Sequence, residues 1–189
     1  WIRIYDNRFA ILGGIGPQVL LNASRVARLN AEAGSARYFM SAEDLTTGAG
    51  TSVQQDLALV SLLGAGRSAV PVWESLDQAG VITALIPYWD VVRSAPQHNP
   101  VHRYTVDRHL LEAAVQACAY ARDVHRPDLL LVGALLHDIG KGRPGQDHTD
   151  VGVSLIPEIA EHLGLPERTV RTHLLRGLRA LKESVGDLE

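Results

Sequence analysis

The sequence predicts a mostly α-helical fold of five to seven helices, and three observations carry that reading. Leu129 to Leu136 contains no polar side chain, and it is opened by Arg126-Pro127-Asp128 and followed by His137-Asp138-Ile139-Gly140. Proline in a first turn and glycine just past a last turn bracket a helix, here with Gly140 as a stop that tolerates left-handed backbone. A helix apolar on every side is buried, so the other helices pack around this one. Second, Val106, Leu110, Ala113, Ala117 and Ala121 recur at spacings of 3 to 4, the stripe of an amphipathic helix from Thr105 to about Val124. Third, glycine and proline cut the upstream chain into helix-length segments.

In chain order, Ile2–Tyr5 and Phe9–Leu12, separated by Asp6-Asn7-Arg8, read as a short N-terminal β-hairpin. Gly13-Gly14-Ile15-Gly16 leads into a helix from about Pro17 to Glu32. Glycines before a helix can hold phosphate on its N-terminus, but this spacing fits neither phosphate-loop fingerprint, so a plain turn is favoured. Residues 42–50 form a loop, and Thr51 caps a helix to about Leu63. Gly64-Ala65-Gly66 breaks that helix; Ala69 to Ala79 makes the next, with Pro71 in its first turn and Gly80 at its end. Val81 to Val92 is apolar and aromatic and reads as packing, with base stacking by Trp89 as the functional alternative. Residues 94–103 are a polar loop holding Pro96, His98, Pro100 and His102. The divisions drawn are 1–50, an N-terminal segment; 51–155, a helical domain; and 156–189, C-terminal helices.

The chain has 189 residues, 46% of them hydrophobic, enough for one core with a small appendage. A net charge of −3 excludes a general attraction to nucleic acid or anionic lipid. Cys118 is the single cysteine, so no disulfide forms within the chain, which fits a reducing compartment. No apolar run approaches the roughly 18 residues of a membrane span, and no signal peptide is visible; the expectation is a cytoplasmic protein. The chain opens on Trp1 rather than methionine, as a fragment or trimmed product does.

The chemistry concentrates where the apolar run ends. His137 and Asp138 sit side by side at the C-terminal end of a buried helix, and His109, 28 positions earlier, lies at the edge of the preceding helix's apolar stripe. Neutral imidazole and carboxylate are borderline-to-hard ligands that suit Zn²⁺, Mn²⁺ or Fe²⁺. His148 follows in Gly145-Gln146-Asp147-His148-Thr149-Asp150, a helix start. Lys141 and Arg143 place two positive charges in the short loop beside these ligands. Arg103 and Arg108, which precede His109, and Arg143 are the candidate phosphate contacts, since guanidinium matches phosphate in a bidentate way. His125 reads as a partner of a helix C-terminal dipole rather than a ligand.

His109, His137-Asp138 with Lys141, and His148 resemble the HD-domain metal-dependent phosphohydrolases. From about Leu63 to Val153 the likeness narrows. Residues 69–80, 96–109 and 135–142 are similar to the central domain of the bacterial PII uridylyltransferase/uridylyl-removing enzymes. The resemblance implies an HD-type helical bundle and a divalent ion, Mn, Mg, Zn or Fe, held by His109, His137 and Asp138. It implies removal of UMP from a tyrosine of the PII signal protein, a step in nitrogen regulation. Lys141 and His148 would stabilise charge or hold a second ion. The glycine-serine loop and paired aspartates of the family's transferase half are not found, so uridylyl transfer is not expected.

The C-terminal stretch has two readings. Ile156 to Lys182 resembles a helix-turn-helix, most of all region 4 of bacterial sigma factors, with Ala160 at the crossing, Gly164 in the turn and Val170 as anchor. Residues 167–183 carry five basic and two acidic side chains, which suits phosphate contact by Arg168, Arg171, Arg176 and Arg179. The other reading keeps the stretch inside the HD domain, where the uridylyl-removing family continues with a histidine pair and a closing aspartate. Thr172-His173 resembles that pair without its first histidine, the spacing from His148 is several residues short, and Asp187 is the only aspartate downstream. The expected functions are therefore an HD phosphohydrolase or, from a different class, a DNA-binding module with a non-catalytic HD core. A regulatory fragment that binds metal without turnover is the third.

Overall fold

The computed structural model describes residues 17–34, 52–97, 103–143 and 145–163. The expected hairpin, the Gly13–Gly16 turn, residues 42–50, His98, His102, Arg168, Arg171, His173, Arg176, Arg179 and Asp187 lie outside the described residues. Among the described residues there are eight α-helices and no strand. They are α1 (Pro17–Ala33), α2 (Ser52–Leu63), α3 (Ala69–Gln78), α4 (Val81–Leu85), α5 (Trp89–Val92), α6 (Val106–Ala117), α7 (Pro127–Leu136) and α8 (His148–Leu163). Over the described residues the fold is all-α, in line with the mostly α-helical bundle the sequence predicts.

The Val81–Val92 segment forms two short helices because Pro87 interrupts it. Ile86, the residue before proline, is extended at φ −114° and ψ 106°, the conformation that proline imposes on its predecessor. Tyr88 then turns the chain at φ 68°. Trp89 packs edge-on against Trp73 of α3, ring centroids 5.5 Å apart at 64°, and its indole N–H donates to Asp77 Oδ1 at 3.2 Å. With 1% of its surface exposed, Trp89 has no face left for a base, so the stacking alternative is overturned.

α7 is the centre of the bundle: Leu129, Leu131, Val132, Leu135 and Leu136 are all buried. It packs along α6 and touches α2, which in turn carries α1. α6 ends earlier than the expected Val124, closing in a 3₁₀ turn at Cys118–Tyr120. Residues 122–126 are exposed and offer no apolar face that further helix could bury. His125 therefore stands beyond any helix C-terminus, next to the start of α7, and the dipole reading does not hold. The short connection makes α6 and α7 antiparallel, which brings the first turn of α6 beside the end of α7.

The buried face of α6 also includes a charge. Glu112, 8% exposed, accepts from Arg67 Nη1 at 2.6 and 2.9 Å and from Arg108 Nε and Nη2 at 3.1 and 2.9 Å. Arg108 also pairs with Glu74 of α3. A buried carboxylate needs such partners to remain charged.

α8 runs unbroken from His148 through Pro157 to Leu163, across the division drawn at 155/156. Ile156, Ile159, Ala160 and Leu163 are buried in the common core, so the first part of the helix-turn-helix pattern is the tail of a core helix. Asp147 caps α8, its Oδ1 accepting from the backbone N–H of Thr149 at 2.8 Å.

Candidate metal centre

The fold brings three of the expected ligands, His109, His137 and Asp138, together at one end of the bundle. His109 lies in the first turn of α6, where its backbone N–H closes onto Thr105 O at 2.8 Å. His137 continues α7 in helical geometry, and Asp138 follows. His109 Nε2 and His137 Nε2 are 3.1 Å apart. Asp138 Oδ2 stands 3.5 Å from the first and 3.4 Å from the second. Two ligands about 2.1 Å from one ion, at angles of 90–110°, stand about 3.0–3.4 Å apart. The three separations match that spacing, so the residues fit a single divalent ion.

The tautomer also fits. His137 Nδ1 lies 2.8 Å from Ala134 O, and a carbonyl only accepts, so the proton sits on Nδ1 and Nε2 presents its lone pair to the centre. Burial alone would depress His137, but the Asp138 carboxylate and the Ala134 carbonyl outweigh it and raise the imidazole above its ordinary pKa. Burial pushes Asp138 up, yet the neighbouring His109 and His137 imidazoles and the Lys141 ammonium hold it far below the usual carboxylate range. The cluster is built to keep a carboxylate ionised and to attract positive charge.

Lys141 Nζ is 2.7 Å from Asp138 Oδ2 and donates to Gln97 Oε1 at 3.0 Å. His148, half-exposed at the first position of α8, places Nε2 3.6 Å from Asp138 Oδ1. What brings α8 this close is Gly140. It does not adopt left-handed backbone as expected; among the described glycines, Gly34, Gly66, Gly80, Gly142 and Gly145 do. Its role is contact: a β-carbon there would overlap His148 O and stand 2.5 Å from the Gly152 nitrogen.

The arginines are placed differently. Arg108 is engaged by Glu112 and Glu74, and Arg103 is exposed beside the ring of Tyr104 at 5.9 Å. Arg143 turns away toward α8, its guanidinium 5.4 Å from the ring of Tyr88, whose hydroxyl donates to Glu158. Among the described residues, Arg143 Nη1 is buried and meets no hydrogen-bond partner. Sequence reasoning missed Gln97, which reaches the centre through Lys141, and Glu112, whose i,i+4 spacing from Arg108 was the available signal.

Residues 106–186 match the family model of the HD domain. The chain contains an HD domain. The match begins at the first residue of α6 and runs through residues 156–185, the stretch that also resembles a helix-turn-helix. The chain is 48% identical over 136 residues, 68% of its length, to a bifunctional uridylyltransferase/uridylyl-removing enzyme of Streptomyces coelicolor. It is 40% identical over 177 residues, 86% of its length, to the enzyme of that name from Mycobacterium tuberculosis, and 36% identical over 142 residues, 63% of its length, to that from Gluconobacter oxydans. The chain spans only 16% and 22% of the first two relatives. No solved structure matches it significantly. Among the described residues, no helix is long and apolar enough to cross a membrane.

Proposed function

We propose that this chain is a metal-dependent phosphohydrolase that releases UMP from the uridylylated tyrosine of a PII-type signal protein. The observation that carries the proposal is the 3.1–3.5 Å spacing of His109 Nε2, His137 Nε2 and Asp138 Oδ2 inside an HD domain. The names of the relatives support the uridylyl-removing specificity. In this reading His109, His137 and Asp138 hold the ion, with His148 and Asp187 as further ligands. When bound, a divalent ion such as Mn²⁺ or Mg²⁺ supplies an activated water and a Lewis acid for the phosphoryl oxygen.

The chain's own residues do the rest. Asp138 stays ionised because two imidazoles and an ammonium surround it. His137 is fixed in its ligating tautomer by Ala134 O. Lys141 sets a cation beside the centre without competing as a ligand, so it can neutralise charge that builds on the phosphoryl oxygens, a role whose loss typically slows turnover roughly 100- to 1,000-fold. His148, half-exposed with Nε2 3.6 Å from Asp138 Oδ1, would stabilise charge or hold a second ion. Of Arg103, Arg108 and Arg143, Arg103 is the most exposed and the best placed to meet a phosphate, because Arg108 is paired with Glu112 and Glu74.

The test incubates the purified chain with Mn²⁺ and uridylylated PII protein and measures released UMP. The proposal expects release that vanishes in the His137→Ala, Asp138→Ala double variant. A chain that binds the ion stoichiometrically yet releases nothing is a regulatory fragment, and the enzymatic reading falls.

A further inference from the structure

Gln97 bridges the two segments that carry the metal ligands. Its Nε2 donates to Tyr104 O at 3.2 Å, at the entrance to α6, and its Oε1 accepts from Lys141 Nζ at 3.0 Å, in the loop after α7. The partners assign the orientation of the amide. A backbone carbonyl only accepts and an ammonium only donates, so the bridge needs a donor at one end and an acceptor at the other, which a carboxamide supplies. The arm also has a fixed base. Ala95 O accepts from Val106 N at 2.9 Å, and Ser94 N donates to Asp107 Oδ2 at 2.9 Å, so the chain leading to Gln97 is pinned to the first turn of α6.

At the other end, Lys141 reaches Asp138 Oδ2 at 2.7 Å, the oxygen that both histidines approach. A lysine ammonium is a point charge on a four-carbon stem, free to swing unless held. With Asp138 alone it could rotate about one contact. With Asp138 and Gln97 together it is held between two acceptors on different elements, and its remaining donor is aimed in one direction.

We infer that Gln97 is a positioning residue that aims the Lys141 ammonium at the substrate's phosphoryl group. The inference rests on the phosphohydrolase reading for its consequence, but not for the link itself. The side-chain amide of Gln97 bonds Tyr104 O and Lys141 Nζ, so it acts on the centre through Lys141. Its loss therefore reduces turnover and leaves ion binding intact.

Two double-variant cycles on the full chain test it. The first is kinetic, with Mn²⁺ and the p-nitrophenyl ester of UMP. Gln97→Leu lowers kcat about 10- to 100-fold, the scale of a displaced catalytic group, with KM and the Mn²⁺ Kd within about twofold of the parent; in a Lys141→Ala background it causes no further loss. The second needs no activity: denaturant midpoints of the ion-free parent, Gln97→Leu, Lys141→Ala and the double variant. The two single shifts do not add, because each removes the same bond. Gln97→Met serves if the leucine variant does not fold. Losses that multiply in the kinetic cycle, midpoint shifts that add, or Mn²⁺ affinity that falls in step with kcat overturn the inference. If the parent cleaves no diester while the midpoints stay non-additive, the phosphohydrolase reading fails and the Gln97–Lys141 link stands.

Discussion

Gly140→Ala is expected to push α7 and α8 apart at the metal centre. The added β-carbon would overlap His148 O and lie 2.5 Å from the Gly152 nitrogen and 3.0 Å from the His148 carbonyl carbon. All three are backbone atoms, so no side chain can rotate out of the way. Restoring ordinary contacts of about 3.5 Å requires shifts of roughly 1 to 1.5 Å. Overpacking of this kind costs about 1–3 kcal/mol, and 2 kcal/mol lowers Tm by about 4–8 °C in a domain of this size. The same displacement carries His148 away from Asp138, now 3.6 Å from it, so Mn²⁺ binding weakens as well. Gly152→Ala is the matched control on the facing helix. Its β-carbon would meet nothing nearer than 3.7 Å, and alanine in a helix interior gains up to about 1 kcal/mol over glycine. Thermal melts with calorimetric Mn²⁺ titration of both variants decide the matter. A Gly140→Ala protein that melts with or above the parent and binds Mn²⁺ equally would refute the argument that this glycine sets the helix spacing.

Trp89→Phe removes the indole donor to Asp77 and part of the edge contact with Trp73; urea unfolding should show a loss of about 1–3 kcal/mol. Glu112→Ala leaves Arg67 and Arg108 facing each other without their shared carboxylate. Because Arg67 is 63% exposed, the expected loss is about 1–3 kcal/mol rather than the full value for a buried pair, and it shrinks in 1 M salt. Acidification should release bound Mn²⁺, since imidazole ligates only when neutral and the raised His137 imidazole takes up its proton at a higher pH than an ordinary histidine does. Ion binding that is flat from pH 7.5 to 5 would remove the histidines from the ligand set.

The parts of the fold that were legible in the sequence are those that local chemistry dictates. α7 is recognisable because its run has no polar face to expose. α2 and α3 are recognisable because glycine and proline mark their ends. His109, His137 and Asp138 were legible as a set because the ligands fall at the facing ends of two consecutive helices, and a short connection makes such helices antiparallel. The missed features depend on tertiary contact. Gln97 looks like one more polar residue in a proline-rich loop, and its partner Lys141 is 44 positions away. Gly140 reads as a helix stop, whereas what it provides is room for the α8 backbone. Trp89 offers an aromatic ring to any reader of the sequence, and only its burial against Trp73 decides between packing and binding. Arg108 has the charge for phosphate, and only the neighbouring Glu112 and Glu74 show that the charge is already engaged.

The central claim is that His109, His137 and Asp138 hold one divalent ion. Elemental analysis of the purified chain, after incubation with Mn²⁺ and removal of free ion, tests it directly. The account predicts about one ion per chain in the parent and none in the His137→Ala, Asp138→Ala variant, with helical circular dichroism largely preserved. Equal metal content in the two proteins would contradict it.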